Sequence, residues 1–92
     1  MTSRPVTVAN ALGLHARAAA RFVHLASRFQ SHVKVSRGSQ TMDGKSIMGI
    51  LLLAAATGTV LRVSAEGADE QAALDALCGF IETGFGEDTC SA

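Results

Sequence analysis

Apolar residues recur along this chain with two periods, and the switches between them mark out its elements. From Arg4 to Asn10, Val6 and Val8 alternate with Thr7 and Ala9, the period of a strand with one buried face; Pro5 suits a strand beginning or an edge. After a loop from Asn10 to Leu14, the period lengthens. Between Ala16 and Phe29, the residues Ala19, Phe22, Val23, Ala26 and Phe29 fall on one stripe of an amphipathic helix. His32 to Arg37 alternates again through Val33 and Val35. Arg37-Gly38-Ser39 turns the chain, and Gln40 to Met42 returns as the second arm of a hairpin. Asp43-Gly44-Lys45 is a loop, after which Ser46 caps a short apolar helix, Ile47 to Leu53. Thr59 to Glu66 is a further strand, with Leu61, Val63 and Ala65 on one face and Arg62 and Ser64 on the other. Asp69 caps a last helix whose inward stripe is Leu74, Leu77, Cys78 and Ile81, closed by Phe85 if the helix extends that far. Gly84 and Gly86 end it, and Glu87 to Ala92 is expected to fray.

The order βαββαβα predicts an α+β domain. Alternation in the strands implies one wet face, hence an antiparallel sheet with helices on the other side. A split βαβ, ferredoxin-like sheet satisfies the same order, and periodicity does not choose the strand arrangement. With no repeat or linker, the 92 residues read as one domain.

Composition narrows the function more than the fold. Hydrophobic residues make up 48%, enough for a core, although a small domain buries a smaller fraction of its surface. Lys+Arg and Asp+Glu are both 8, so no net charge points to nucleic acid or an anionic membrane. The absence of Tyr and Trp leaves no aromatic ladder for a nucleic-acid-binding module. The longest apolar run, Ile47 to Ala56, is half the roughly 20 residues of a spanning helix, and no signal-peptide pattern opens the chain, so no membrane insertion is expected. Cys78 and Cys90 match neither a metal spacing nor a disulfide framework, which predicts a reduced, cytoplasmic setting. The three histidines share no ligand spacing, so no metal is expected.

The candidate chemistry sits in Gly13-Leu14-His15-Ala16-Arg17-Ala18-Ala19-Ala20. If the helix begins at Ala16, His15 occupies its mouth. There the first backbone N–H groups, those of Ala16, Arg17 and Ala18, lack partners, and the aligned peptide dipoles favour an anion. A neutral imidazole is a competent nucleophile, and a phosphoryl group carried on it would find those donors waiting. Arg17 can add charge-assisted bonds to the same oxygens. Taken alone, a histidine at a helix start is usually a tolerated surface residue, as His24 and His32 are read here. Arg17, Arg21, His24 and Arg28 step by four, three and four residues into a basic stripe on an otherwise neutral protein. A solvated face explains that stripe as well as a docking surface does; its position beside His15 favours docking to an acidic partner.

Gly44-Lys45-Ser46 stands between a strand and a helix, like the end of a P-loop, but that motif needs a glycine five residues before Gly44. Position 39 is serine, and Gly38 falls one residue too early. Ser46 reads instead as an N-cap worth about 1 kcal/mol. The helix after it is apolar nearly all round, so Ile47, Met48 and Leu51 are either ordinary core or an adaptable contact patch.

Leu12-Gly13-Leu14-His15-Ala16-Arg17 and Asp43-Gly44-Lys45-Ser46-Ile47-Met48-Gly49 resemble the two signature segments of HPr, the histidine phosphocarrier family of the bacterial phosphoenolpyruvate-dependent phosphotransferase system. The similarity in element order covers almost the whole chain. The resemblance implies an open-faced β-sandwich: a four-stranded antiparallel sheet, order 1-4-2-3, with three helices on one face. It implies that His15 accepts phosphate on Nδ1 from Enzyme I and passes it to an Enzyme IIA domain, with Arg17 steadying the group. Arg21, His24, Ile47, Met48 and Leu51 match positions used in partner docking. Ser46 matches the site modified by HPr kinase/phosphorylase. A carrier of this kind is a phosphoryl-transfer intermediate rather than an enzyme, needs no cofactor, and is expected as a monomer. The rival expectation is a regulatory binding module of the nitrogen-related branch, which the ending Thr83-Gly84-Phe85-Gly86-Glu87-Asp88 resembles, whereas the serine segment resembles the carbon-regulatory branch. One residue departs from the signature: Ala18 stands where the family usually has proline. Alanine fixes the start of the helix less firmly, so His15 is expected to be somewhat more mobile and still competent, and Ala18 contributes an N–H that proline lacks.

Overall fold

The computed structural model describes residues 1–86. The alternating segments become four strands, Thr2–Thr7 (β1), His32–Arg37 (β2), Gln40–Asp43 (β3) and Val60–Glu66 (β4). The longer-period segments become three helices, Ala16–Ala26 (α1), Ile47–Leu52 (α2) and Glu70–Glu82 (α3). Every pairing is antiparallel and the sheet order is β1-β4-β2-β3, the arrangement that the resemblance implies. Register places the inward side chains directly opposite one another: Val6 faces Leu61, Val35 faces Val63 and Val33 faces Ala65. Each of these is buried. The other sheet face, with Ser3, Pro5, Arg62, His32 and Lys34, is exposed or half-exposed, as antiparallel alternation requires.

The helices close the inner face. Ala18, Ala19, Phe22 and Ala26 of α1 meet Leu74, Leu77, Cys78 and Ile81 of α3, while Ile50 and Leu53 come from α2 and the residue after it. The expected inward stripe of α3 is therefore fully buried. Burial also pushes the Cys78 thiol up from its ordinary value, which keeps it protonated and unreactive.

Several boundaries differ from expectation, most by a single residue, and the larger differences have local reasons. The β1 strand starts at Thr2 and ends at Thr7; Val8 stays buried beyond it, held by bonds to Thr59 (N–H to O, 2.9 Å) and Gly58 (O from N–H, 2.8 Å). The α1 helix stops at Ala26 rather than reaching Phe29. The Ser27 hydroxyl donates back to Val23 O at 2.8 Å, a competing bond that helps end the helix, and Phe29 lies half-buried in the turn that follows.

Asp69 takes the N-cap position of α3 but does not cap it. Its carboxylate accepts from the Ser31 hydroxyl, from Gln30 N–H at 2.8 Å and from Ser31 N–H at 2.9 Å, tying α3 to the α1–β2 connection. The Ser31 hydroxyl bond, followed by the Gln30 amide, holds this carboxyl below the usual range.

The α3 helix does not extend to Phe85, yet Phe85 is fully buried. Phe85 N–H donates to Phe80 O at 2.9 Å and Gly84 N–H to Ile81 O at 3.0 Å, the paired bonds of a Schellman ending. The apolar contact that accompanies such endings is the edge-on packing of Phe80 and Phe85, centroids 5.9 Å apart. The chain thus reverses and sends Phe85 back into the core. The expected fraying of residues 87–92, like Cys90, lies outside the described residues.

Candidate functional site

The loop before α1 is built by short-range turns and then braced from a distant segment. Asn10, buried at the end of the first strand's run, donates from Nδ2 to Gly13 O at 2.8 Å, while Gly13 N–H donates to Asn10 O at 3.1 Å. Gly13 has φ +66, and a Cβ there would stand 2.6 Å from Ala55 O, so only glycine lets the loop come this close. The brace is the segment 54–59 after α2. Ala55 O accepts from Leu14 N–H at 2.8 Å, and the Thr57 hydroxyl donates to Asn10 O and, at 3.1 Å, to Ala11 O. These bonds fix the backbone one residue before His15.

To deliver Ala55 there, the chain turns through Ala54 at φ +50, a left-handed conformation that costs a residue with a Cβ about 1–2 kcal/mol. Ala54→Gly should relieve that cost. After the larger unfolded-state entropy of glycine is subtracted, a net gain of about 0.5–1 kcal/mol is expected. Urea denaturation measures it; an unchanged or lower midpoint would show that the turn holds no strain.

His15 is the N-cap of α1, with φ −99 and ψ 178, extended; its side chain makes no capping bond. It is half-buried, on the rim rather than in the core. The first rung of the helix runs from Ala19 N–H to His15 O at 2.8 Å. The N–H groups of Ala16, Arg17 and Ala18 therefore precede the ladder and have no intrahelical acceptor. Arg17 is exposed and Ala18 fully buried. Because Ala18 lies ahead of the first rung, a proline there would interrupt no intrahelical bond, and alanine leaves one more donor in the turn.

The other sequence-nominated residues are distributed unevenly. Arg21 and His24 are exposed on α1, and Arg21 Nη1 donates to Gly86 O at 3.3 Å. Together with Ala20, Leu25, Arg28, Phe80 and Gly86 they line an open groove of about 590 Å³, and His15 is not among its lining residues. In α2, Ile47 (45%) and Met48 (69%) are exposed, whereas Leu51 is half-buried against the core. The exposed neighbour is Leu52 (58%), and Leu12 (70%) projects from the loop before His15. The reason is angular: Ile50 and Leu53 turn inward, so Leu51 flanks them and Leu52 points away.

Ser46 is the N-cap of α2, its hydroxyl accepting from Gly49 N–H at 3.1 Å. It stands at the opposite end of this six-residue helix from the brace, about 9 Å along the axis. Ser46 and the brace of the His15 loop thus flank opposite ends of α2. Lys45 Nζ donates to Phe29 O at 2.8 Å, a structural bond unlike the phosphate-binding lysine of a P-loop. Among the described residues no cluster of His, Cys, Asp or Glu could hold a metal, and no helix is long and apolar enough to cross a membrane.

Asn10, Ala54, Ala55 and Thr57 were not singled out from the chain. Asn10 three residues before a glycine is a signal for a side-chain-closed turn. The brace carries none, because it acts through backbone oxygens.

Comparison with known proteins agrees over nearly the full length. The family model described as the PTS HPr component phosphorylation site matches residues 2–83. The phosphocarrier protein HPr of Cupriavidus necator is 48% identical over 87 residues, spanning 95% of this chain and 98% of that protein. The phosphocarrier protein NPr of Shewanella violacea is 38% identical over 84 residues, 91% of this chain and 92% of that protein. Among solved structures, HPr-C-His from Thermoanaerobacter tengcongensis superposes with a TM-score of 0.90 at 44% identity, covering 96% of this chain and 99% of that one.

Proposed function

This chain belongs to the HPr family of phosphocarrier proteins, and on that footing we propose that His15 is its phosphoryl acceptor, receiving the group from Enzyme I and passing it to an Enzyme IIA domain. The observation that carries this reading is the N-cap geometry. His15 leaves its side chain out of the cap, beside three N–H groups that the helix does not use. In the transfer, the Nδ1 lone pair forms a bond to phosphorus as the bond from phosphorus to the donor breaks, and the donor departs with that electron pair. The imidazole proton rests on Nε2. The reverse displacement on a second acceptor discharges the carrier. The amides of Ala16, Arg17 and Ala18 and the exposed Arg17 guanidinium offset charge on the phosphoryl oxygens.

The proposed role asks for a shallow site. A carrier must hold the group without hydrolysing it, so it needs donors but no base to activate water. Docking falls to the basic stripe of α1 and to the exposed apolar side chains of α2. Arg21 offers charge and His24 a polar ring to an acidic partner, while Ile47 and Met48, with Leu51 at their flank, offer adaptable apolar contact. Incubation with Enzyme I and phosphoenolpyruvate should add one acid-labile phosphate, seen in the intact mass; a chain that stays unmodified overturns the proposal.

Ser46 is proposed as a regulatory site for a protein kinase of the HPr kinase/phosphorylase type. Phosphorylation adds about −1.5 to −2 charges beside Ile47 and Met48, on a face meant for acidic partners. Ser46→Asp should therefore accept phosphate from Enzyme I about tenfold more slowly at low ionic strength, and the difference should shrink as salt rises. Initial transfer rates across a salt series check this; equal rates for the two proteins remove Ser46 from the docking face.

A further inference from the structure

We propose that Arg37 is a positioning residue for phosphoryl acceptance, holding the brace that sets the backbone before His15; this rests on the reading of His15 as the acceptor. Arg37 closes β2, and its guanidinium crosses to the C-terminus of α2. There Nη1 donates to Leu53 O at 2.8 Å and to Ala54 O at 3.3 Å. Those two carbonyls lie past the last helical turn, where no intrahelical N–H reaches them, and a cation is favoured at that end of the dipole.

The bonded carbonyls flank the strained turn. Leu53 and Ala54 spend their own N–H groups on Ile50 O (3.2 Å) and Leu51 O (3.0 Å), and Ala54 then adopts φ +50. Alanine has no local reason to stay there, so the conformation must be imposed from outside. Arg37 is bonded on the carbonyl side of that residue. The next carbonyl, Ala55 O, is the acceptor for Leu14 N–H at 2.8 Å, and Leu14 precedes His15. The route from guanidinium to imidazole thus runs Arg37, Ala54, Ala55, Leu14, His15, with a hydrogen bond or a peptide link at every step. Releasing Arg37 lets Ala54 relax toward an ordinary backbone well. Ala55 O then swings away from Leu14 N–H, and the N-cap residue loses its fixed orientation over the amides of the first turn.

The test compares Arg37→Ala, Arg37→Lys and Arg37→Ala combined with Ala54→Gly under conditions where circular dichroism shows every protein fully folded. Arg37→Ala is expected to lower the single-turnover rate of acceptance from phosphorylated Enzyme I about fivefold at saturating donor, and to speed Leu14 amide hydrogen exchange about tenfold. Arg37→Lys should recover part of both, since an ammonium can donate to one carbonyl. Adding Ala54→Gly to Arg37→Ala should recover most of both, because glycine holds a left-handed turn unaided. Wild-type values for Arg37→Ala, a loss confined to KM, or no recovery on adding Ala54→Gly would each overturn the proposal. If the wild-type protein accepts no phosphate, the acceptor reading fails on its own, and Leu14 exchange still decides whether Arg37 holds the brace.

Discussion

The His15→Ala variant should take up no phosphate from Enzyme I and phosphoenolpyruvate, while its melting temperature stays within about 4 °C of wild type. The two halves of that result follow from one geometry. The cap backbone conformation is set by the loop and its brace, and the ring sits on the rim rather than in the core, so alanine leaves the fold standing. What it removes is the nucleophile, and neither remaining histidine can replace it. His24 lies in the last turn of α1, where the dipole is reversed and the amides are already in the ladder. His32 lies on the open face of the sheet opposite Glu66, a carboxylate that repels an incoming phosphoryl group. Intact mass and peptide mapping under mildly alkaline conditions check both halves. Phosphate on any other residue of the variant would transfer the acceptor role there, and a collapsed fold would make His15 structural.

Gly13→Ala should be nearly as damaging to transfer, and for a reason removed from the chemistry. The new Cβ meets Ala55 O at 2.6 Å and Ala56 Cα at 3.0 Å, and neither is a side-chain end that can rotate aside. Relief requires breaking the Leu14 to Ala55 bond or moving the turn at Ala54. The left-handed φ of +66 adds about 1–2 kcal/mol. A loss of about 2–4 kcal/mol of stability is expected, together with a transfer rate lower by about 10²-fold in protein that is still folded, since displacement of about 1 Å costs that much. Gly38→Ala is the control: its φ is +59, yet no atom lies within 4 Å of the added Cβ, so it should lose about 1 kcal/mol and keep its rate. Urea melts and single-turnover transfer measure the pair. Equal rate losses in both would show that the close approach at Ala55 does not set the site.

Much of this architecture is readable from residue periodicity. The alternation of Val33 with Val35 and of Leu61 with Val63 names the buried face of each strand, because a strand's two faces are a local property. The neighbour of each strand is not local. Nothing in Thr2–Thr7 states that it pairs with Val60–Glu66; that order came from the resemblance carried by the His15 and Ser46 segments. The candidate histidine is legible for the same reason as the helix it opens. The brace was not, because a carbonyl is present at every residue and Ala55 differs from its neighbours only in where it ends up. Asp69 shows the limit from the polar side. Its residue type correctly marks a helix start, but its oxygens found Ser31 and Gln30 across the fold. Leu51 is half-buried and Leu52 exposed because one helical step of 100° decides which side of a short helix meets solvent, a choice that a run of apolar residues leaves open.

The pairing of β1 with β4, and of Leu14 with Ala55, has a consequence for a chain leaving the ribosome. His15, the proposed acceptor, is synthesised well before Ala55, and β1 well before β4, its one sheet neighbour among the described residues. A nascent polypeptide interrupted before Glu66 exposes the imidazole without the built site. The surroundings of His15 are therefore complete only once Val60–Glu66 has joined the sheet.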